Sequence, residues 1–166
     1  RDAITIENVI YANQLSVGTQ VGSGIAAIRN STILGNLNVQ GGGGEGDKGV
    51  YLQDSRIAKM TVNRTDDTVQ IFTEGESTVI NTYIKESASL IESNTAGVNG
   101  DFGKGFVNVY MGRKTDLLLN GDVELLEMQD VKCDVITELG CAIDHLVVDS
   151  NAERCDITLG KISGVG

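Results

Sequence analysis

The chain has 166 residues, a net charge of −10, 21 glycines, no proline and only 4% aromatic residues. Its 13 basic residues are scattered, which excludes nucleic acid and disfavours an anionic membrane surface, since both are held by clustered Lys and Arg. No apolar run approaches the ~20 residues of a membrane span, and the chain opens directly on RDAITI, as a mature form or an excised domain would.

A chain of this length is expected to be a single domain, residues 1–166. Many glycines and no proline suit a structure of ladder hydrogen bonds and tight turns, because proline donates nothing to a ladder. Taken in order, the chain repeats apolar pairs separated by one residue, the period of a strand with one buried face. One series is Ile4/Ile6, Ala26/Ile28, Val50/Leu52, Val69/Ile71, Leu117/Leu119 and Val135/Thr137. The other is Leu15/Val17, Leu37/Val39, Met60/Val62, Thr82/Ile84, Val107/Val109, Leu126/Met128 and Leu146/Val148. Its members recur after 22, 23, 22, 25, 19 and 20 residues.

Two strands per repeat could build an antiparallel sandwich or a coiled solenoid. A meander needs hairpin turns, and Asn99-Gly100 and Asn120-Gly121 are too few. What recurs is a polar corner: Asn8 in IENVI, Asn30 in IRNSTI and Asp54 in LQDSRI hold equivalent positions. Stacked polar corners predict a solenoid in which each unit lies over the last. Leu37, Val39, Met60, Val62, Leu126 and Met128 should then be buried and in register, and eight rungs would make a rod of roughly 38 Å.

Residues 41–49, GGGGEGDKG, and 94–105, NTAGVNGDFGKG, break the rhythm and read as loops pushed out of the coil. Such insertions often mark a binding face. Asp47 and Asp101 in these loops, with Tyr51, Tyr83 and Tyr110 as stacking platforms on outward strand faces, are the candidate ligand-binding residues. GEGDKG matches G-x-G-x-x-G literally, but a strand rather than a helix follows it, which removes the nucleotide reading.

Among acidic pairs, Asp66 with Asp67 are the metal candidates. Calcium, the one ion these turns suggest, needs six to eight converging oxygens, and a pair in a turn supplies two or three. No other cofactor is expected. His145 is the only histidine, which excludes a multi-imidazole metal site. Cys133, Cys141 and Cys155 contain no C-x-x-C, against zinc or thioredoxin-type chemistry. KCDVIT and RCDITL look like one corner repeated, so Cys133 and Cys155 should be rung neighbours, either disulfide-linked or stacked as small buried thiols.

The segments STILGNLNVQGGGGEGDKGVYLQDSRIAKMTV, VQIFTEGESTVINTYI and GKGFVNVYMGRKTDLLLNGDVELLEM resemble right-handed parallel β-helix segments in cell-surface proteins of Gram-positive bacteria, often found beside S-layer-homology domains. The resemblance implies an all-β, single-stranded right-handed parallel β-helix of about eight rungs in an extracellular, cell-surface setting. It transfers no catalytic residue. The role expected is a non-catalytic spacer, adhesin or glycan-binding module for cell-wall or plant-type polysaccharide. The rivals are a calcium-dependent polysaccharide lyase on acidic glycans, with Arg64 or Arg113 as base, and a self-assembling surface-layer or filament subunit joined end to end.

Overall fold

The computed structural model describes residues 3–93, 105–112 and 114–161. Alternating apolar residues build strands, and every strand pairs in parallel with its counterpart one turn away. The first turn contains β1 (Ala3–Glu7), β2 (Ile10–Tyr11), β3 (Leu15–Val17) and a short 3-10 turn, Thr19–Val21. The second and third are β4 (Ile25–Arg29) with β5 (Thr32–Val39) and β6 (Val50–Gln53) with β7 (Arg56–Val62). The fourth and fifth are β8 (Val69–Glu74) with β9 (Thr78–Ile84) and β10 (Ala88–Ser93) with β11 (Phe106–Met111). Then come β12 (Asp116–Asn120) with β13 (Val123–Met128), β14 (Asp134–Glu138) with β15 (Ile143–Val148), and the lone β16 (Asp156–Lys161).

The result is an all-β parallel solenoid of about seven turns, with β16 beginning the next. One sheet runs β1-β4-β6-β8-β10-β12-β14-β16 and the other β15-β13-β11-β9-β7-β5-β2, with β3 also on β5. Hereafter these are the first and second sheets.

The core is a set of columns running along the rod between the sheets. In the second sheet Leu15, Leu37, Met60, Thr82, Val109, Leu126 and Leu146 stack in one column. Val17, Val39, Val62, Ile84, Met111, Met128 and Val148 stack in the next. All six residues expected to be buried from the sequence are fully buried.

The structure corrects the repeat alignment in three places. Val109 and Met111, rather than Val107 and Val109, continue the second series. In the first series Val50 and Leu52 pair with Ile71 and Thr73, two residues on from the expected Val69 and Ile71. The strand pair Ala88/Leu90 belongs in that series too, stacked on Val69/Ile71 and under Leu117/Leu119. A shift of two keeps every side chain on its face, so alternation alone cannot detect it.

The corners follow from backbone conformation. Asn8, Asn30 and Asp54, between the first sheet and the second, all have left-handed φ values of 58°, 44° and 47°, which Asn and Asp tolerate better than most residues. Asn30 Nδ2 donates to Asn8 Oδ1 at 2.7 Å, so the polar stack inferred from the sequence exists. At the next turn Gly75 takes the left-handed role, with φ 61°, and the backbone N–H of Glu76 donates to Asp54 Oδ1.

A serine ladder lies just inside this corner. The N–H of Val9 donates to Ser31 Oγ, that of Ser31 to Ser55 Oγ and that of Ser55 to Ser77 Oγ, at 3.2, 3.1 and 3.1 Å. Each hydroxyl thus satisfies a backbone donor from the adjacent turn that the strands leave behind.

Candidate functional site

Alternation that turns apolar residues inward turns polar ones outward. On the outer face of the second sheet Asn36, Lys59, Asn81, Asn108, Leu125 and His145 form one column. Beside it run Asn38, Thr61, Tyr83, Tyr110 and Glu127. Asn108 Nδ2 donates to Asn81 Oδ1 at 3.2 Å, and the Tyr110 hydroxyl reaches the same oxygen at 3.5 Å. Thr61 Oγ1 donates to Asn36 Oδ1 at 3.0 Å. These bonds fix the polar side chains in two clusters, Asn36 with Thr61 and Asn81 with Asn108 and Tyr110.

The two tyrosines are parallel to each other along the rod, with ring centroids 4.8 Å apart and planes 15° apart. Lys59 Nζ lies 4.8 Å from the Tyr83 centroid, from the turn on the other side. Tyr83 is therefore covered on both faces, a cation–π contact on one and a stacked ring on the other. Burial raises the Tyr110 hydroxyl pKa, and the neighbouring Tyr83 and Glu127 raise it further. Tyr83 is thus enclosed between Lys59 and Tyr110, whereas Tyr110 has one face stacked on Tyr83.

Tyr51 lies on the opposite sheet. It stacks on Phe72, centroids 4.5 Å apart and planes 5° apart, and its hydroxyl donates to the main-chain carbonyl of Asp47 at 2.6 Å. Burial raises its pKa, with Asp47 and Glu74 adding to the effect. The candidate residues thus fall into two groups, Tyr83 with Tyr110 and Tyr51 with Asp47, on different faces. Asp101 and Arg113 lie outside the described residues. Lys59, Asn81 and Asn108 escaped sequence reasoning, although each is the outward residue just before an apolar pair or its first member.

The glycine run that precedes Asp47 is packed against the coil. Gly41, Gly42 and Gly43 are buried, and the N–H groups of Gly42 and Gly43 donate to the carbonyls of Gly22 and Gly24 at 2.9 Å. Only residues 45–48 of the segment are exposed. A side chain on Gly41 would strike the Gly18 carbonyl, so glycine is required there by close approach of two main chains.

Arg64 pins this segment from below. It is 4% exposed, its Nε donates to Asp66 Oδ1 at 2.8 Å, and its Nη2 lies 3.3 Å from Asp67 Oδ2. Nη1 donates to the Gly42 carbonyl. The hydrogen bond from Arg64 lowers the pKa of Asp66. Both carboxylates thus face a guanidinium, and among the described residues no group of three or more His, Cys, Asp and Glu is placed to hold a metal ion. Arg64 itself is buried and fully engaged, a poor position for a base that must reach substrate.

Two clefts flank the rod's ends. One, about 640 Å³, is bordered by Gln20, Ser23 and Lys48. The other, about 520 Å³, is bordered by Cys141, Ile143, Leu146, Ile157 and Leu159. In comparison with known proteins, the chain matches no family model, no curated protein and no solved structure. The likeness to Gram-positive surface proteins is therefore supported at the level of the parallel solenoid alone.

Proposed function

We propose that the chain is a non-catalytic, extracellular β-solenoid module that holds polysaccharide along the outer face of its second sheet, as a spacer or adhesin of a cell surface. The observation that carries this reading is a line of two hydrogen-bonded clusters on this face, Asn36 with Thr61 and Asn81 with Asn108 and the Tyr110 hydroxyl. Amides and hydroxyls both donate and accept, which suits the mixed donor and acceptor pattern of sugar hydroxyls. Lys59 adds one cation beside the row. A rigid row also lowers the ordering cost of binding an extended chain.

A glycan array, read with and without calcium, tests the proposal. Binding to cell-wall or plant-type polysaccharide that falls at least tenfold in the double variant Asn81→Ala/Asn108→Ala, with the fold intact by circular dichroism, supports it. No binding to any glycan, or binding untouched by the double variant, defeats it.

A second reading is end-to-end self-association, favoured by inward columns left open at both ends. Ile4 is 43% and Tyr11, stacked on the buried Ile33, 42% exposed at one end, Leu146 48% and Val148 53% at the other. All strand pairing is parallel, so the β15 edge of one copy meets the β2 edge of another without reversal. Sedimentation velocity over a hundredfold concentration range separates the readings, since a filament subunit would grow with concentration.

A further inference from the structure

We infer that Cys133 and Cys155 form a thiol–disulfide exchange site for small-molecule disulfides, closing a covalent staple between the last turns of the rod. The two residues immediately precede Asp134 and Asp156, which pair directly across adjacent strands. Strands pair at about 4.8 Å, inside the Cα separation that a disulfide spans. The N–H of Cys133 donates to Cys155 Sγ at 3.2 Å. Both sulfurs also converge on the carbonyl of Asp130, at 3.2 and 3.3 Å.

The arrangement has the same logic as the serine ladder. There, a backbone N–H on one turn donates to a hydroxyl on the next; here the acceptor is sulfur. Lys132 and Arg154, each just before a cysteine, both take left-handed φ values of 58°, so the two corners repeat the same backbone. Cys141 lies at the opposite corner, where it accepts from the N–H of Gly121 at 3.1 Å and donates to Leu119 at 3.4 Å. It has no place in the pair.

Burial sets the order of events. Cys133 is fully buried, whereas Cys155 is partly exposed. Burial, and then the neighbouring Cys155, raises the Cys133 pKa, so this thiol stays protonated longer. Cys155 thiolate attacks one sulfur of an external disulfide, the S–S bond breaks, and the departing thiolate takes a proton from water. Cys133 then gives its proton to solvent and attacks Cys155 Sγ, expelling the second external thiolate, which is protonated in turn. Two protein thiols are oxidised and one external disulfide becomes two thiols.

The folded chain is incubated with oxidised glutathione, and free thiols and cross-linked peptides are then mapped by mass spectrometry. The expected result is loss of two thiols, a single Cys133–Cys155 link, an alkylatable Cys141, and an unfolding midpoint raised by roughly 5–10 °C and reversed by dithiothreitol. Cys133→Ser should stop at a glutathione adduct on Cys155, and Cys155→Ser should leave Cys133 unreacted. If the buried Cys133→Ser variant fails to fold, iodoacetamide on the reduced wild type decides, with Cys155 modified before Cys133. A link that includes Cys141, three thiols that persist in the folded chain, or Cys133 reacting first would overturn the assignment.

Discussion

Leu126 and Leu146 occupy the same inward column on successive turns, yet Leu126 is sealed and Leu146 is 48% exposed. Met128 and Val148 differ in the same way, at 0% and 53%. The local pattern is the same; the difference is whether another turn of the second sheet lies beyond. In a solenoid, each turn buries its neighbours' apolar side chains, so stability resides in interfaces between turns more than in any turn alone.

The largest effect should therefore come from the middle. Leu126→Ala should cost about 2–5 kcal/mol through lost transfer energy and a cavity the rigid strands cannot close. Leu146→Ala should cost only about 1 kcal/mol, because half its surface is already wet. Urea denaturation of both variants checks the contrast. Equal losses would mean that the last turn is covered in solution, which would favour end-to-end association.

The corners sharpen the comparison. Ser55 Oγ accepts the N–H of Ser31, a residue 4% exposed, and donates to the Gln53 carbonyl. Ser55→Ala should cost about 1–3 kcal/mol, since the Ser31 donor would be buried without a partner. Near the open end, Cys155→Ser keeps an acceptor for Cys133 N–H and should change stability by less than about 1 kcal/mol. A Ser55→Ala variant as stable as wild type would show that water replaces the hydroxyl, and that the ladder is not sealed.

How much of this could be read beforehand depends on what each feature needs. The Asn8–Asn30–Asp54 corner was legible because left-handed backbone selects Asn and Asp. The opposite corner puts Lys114, Lys132 and Arg154 in the same conformation, at φ 56°, 58° and 58°, and those residue types carry no such signal. Strand existence was legible from alternation, but register across the 94–105 insertion was not, since Val107, Val109 and Met111 all fit a two-residue period. The binding face suffered most. Which outward side chains become neighbours depends on register, so Tyr83 could be paired with Tyr110 and Lys59 only once the turns were stacked. Tyr51, by contrast, lies between Val50 and Leu52 of the first series, so its separation from Tyr83, between Thr82 and Ile84 of the second, was already legible.

The sealed middle also contains two apparent misfits. Thr73 and Thr82 are fully buried, and among the described residues their hydroxyls have no hydrogen-bond partner. Thr82 sits in a column between Met60 and Val109. Thr82→Val keeps the shape and removes an unpaired polar atom, so it should stabilise the fold by about 1 kcal/mol. An observed loss of stability would reveal a buried water or a partner reached through motion. A valine at an open-end position such as Thr158, which is already exposed, should change little.

The smallest effect is expected where a sealed group meets solvent. Arg64 is buried in the middle of the rod, but the side chain of Asp66, its partner, is 72% exposed. The Arg64 hydrogen bond depresses the folded pKa of Asp66 below its unfolded value. The stabilisation is therefore fully present above the unfolded pKa and lost as pH falls through the folded one. Solvent screening keeps it small, and Asp67 supplies a second carboxylate to the same guanidinium. Urea midpoints of wild type and Asp66→Asn should differ slightly at about pH 6 and converge toward about pH 2.5. A gap that widens as the pH falls would mean that Asp66 is stabilised in its neutral form, and that Arg64 is held mainly by the Gly42 carbonyl and Ser23, its other neighbours in the sealed middle.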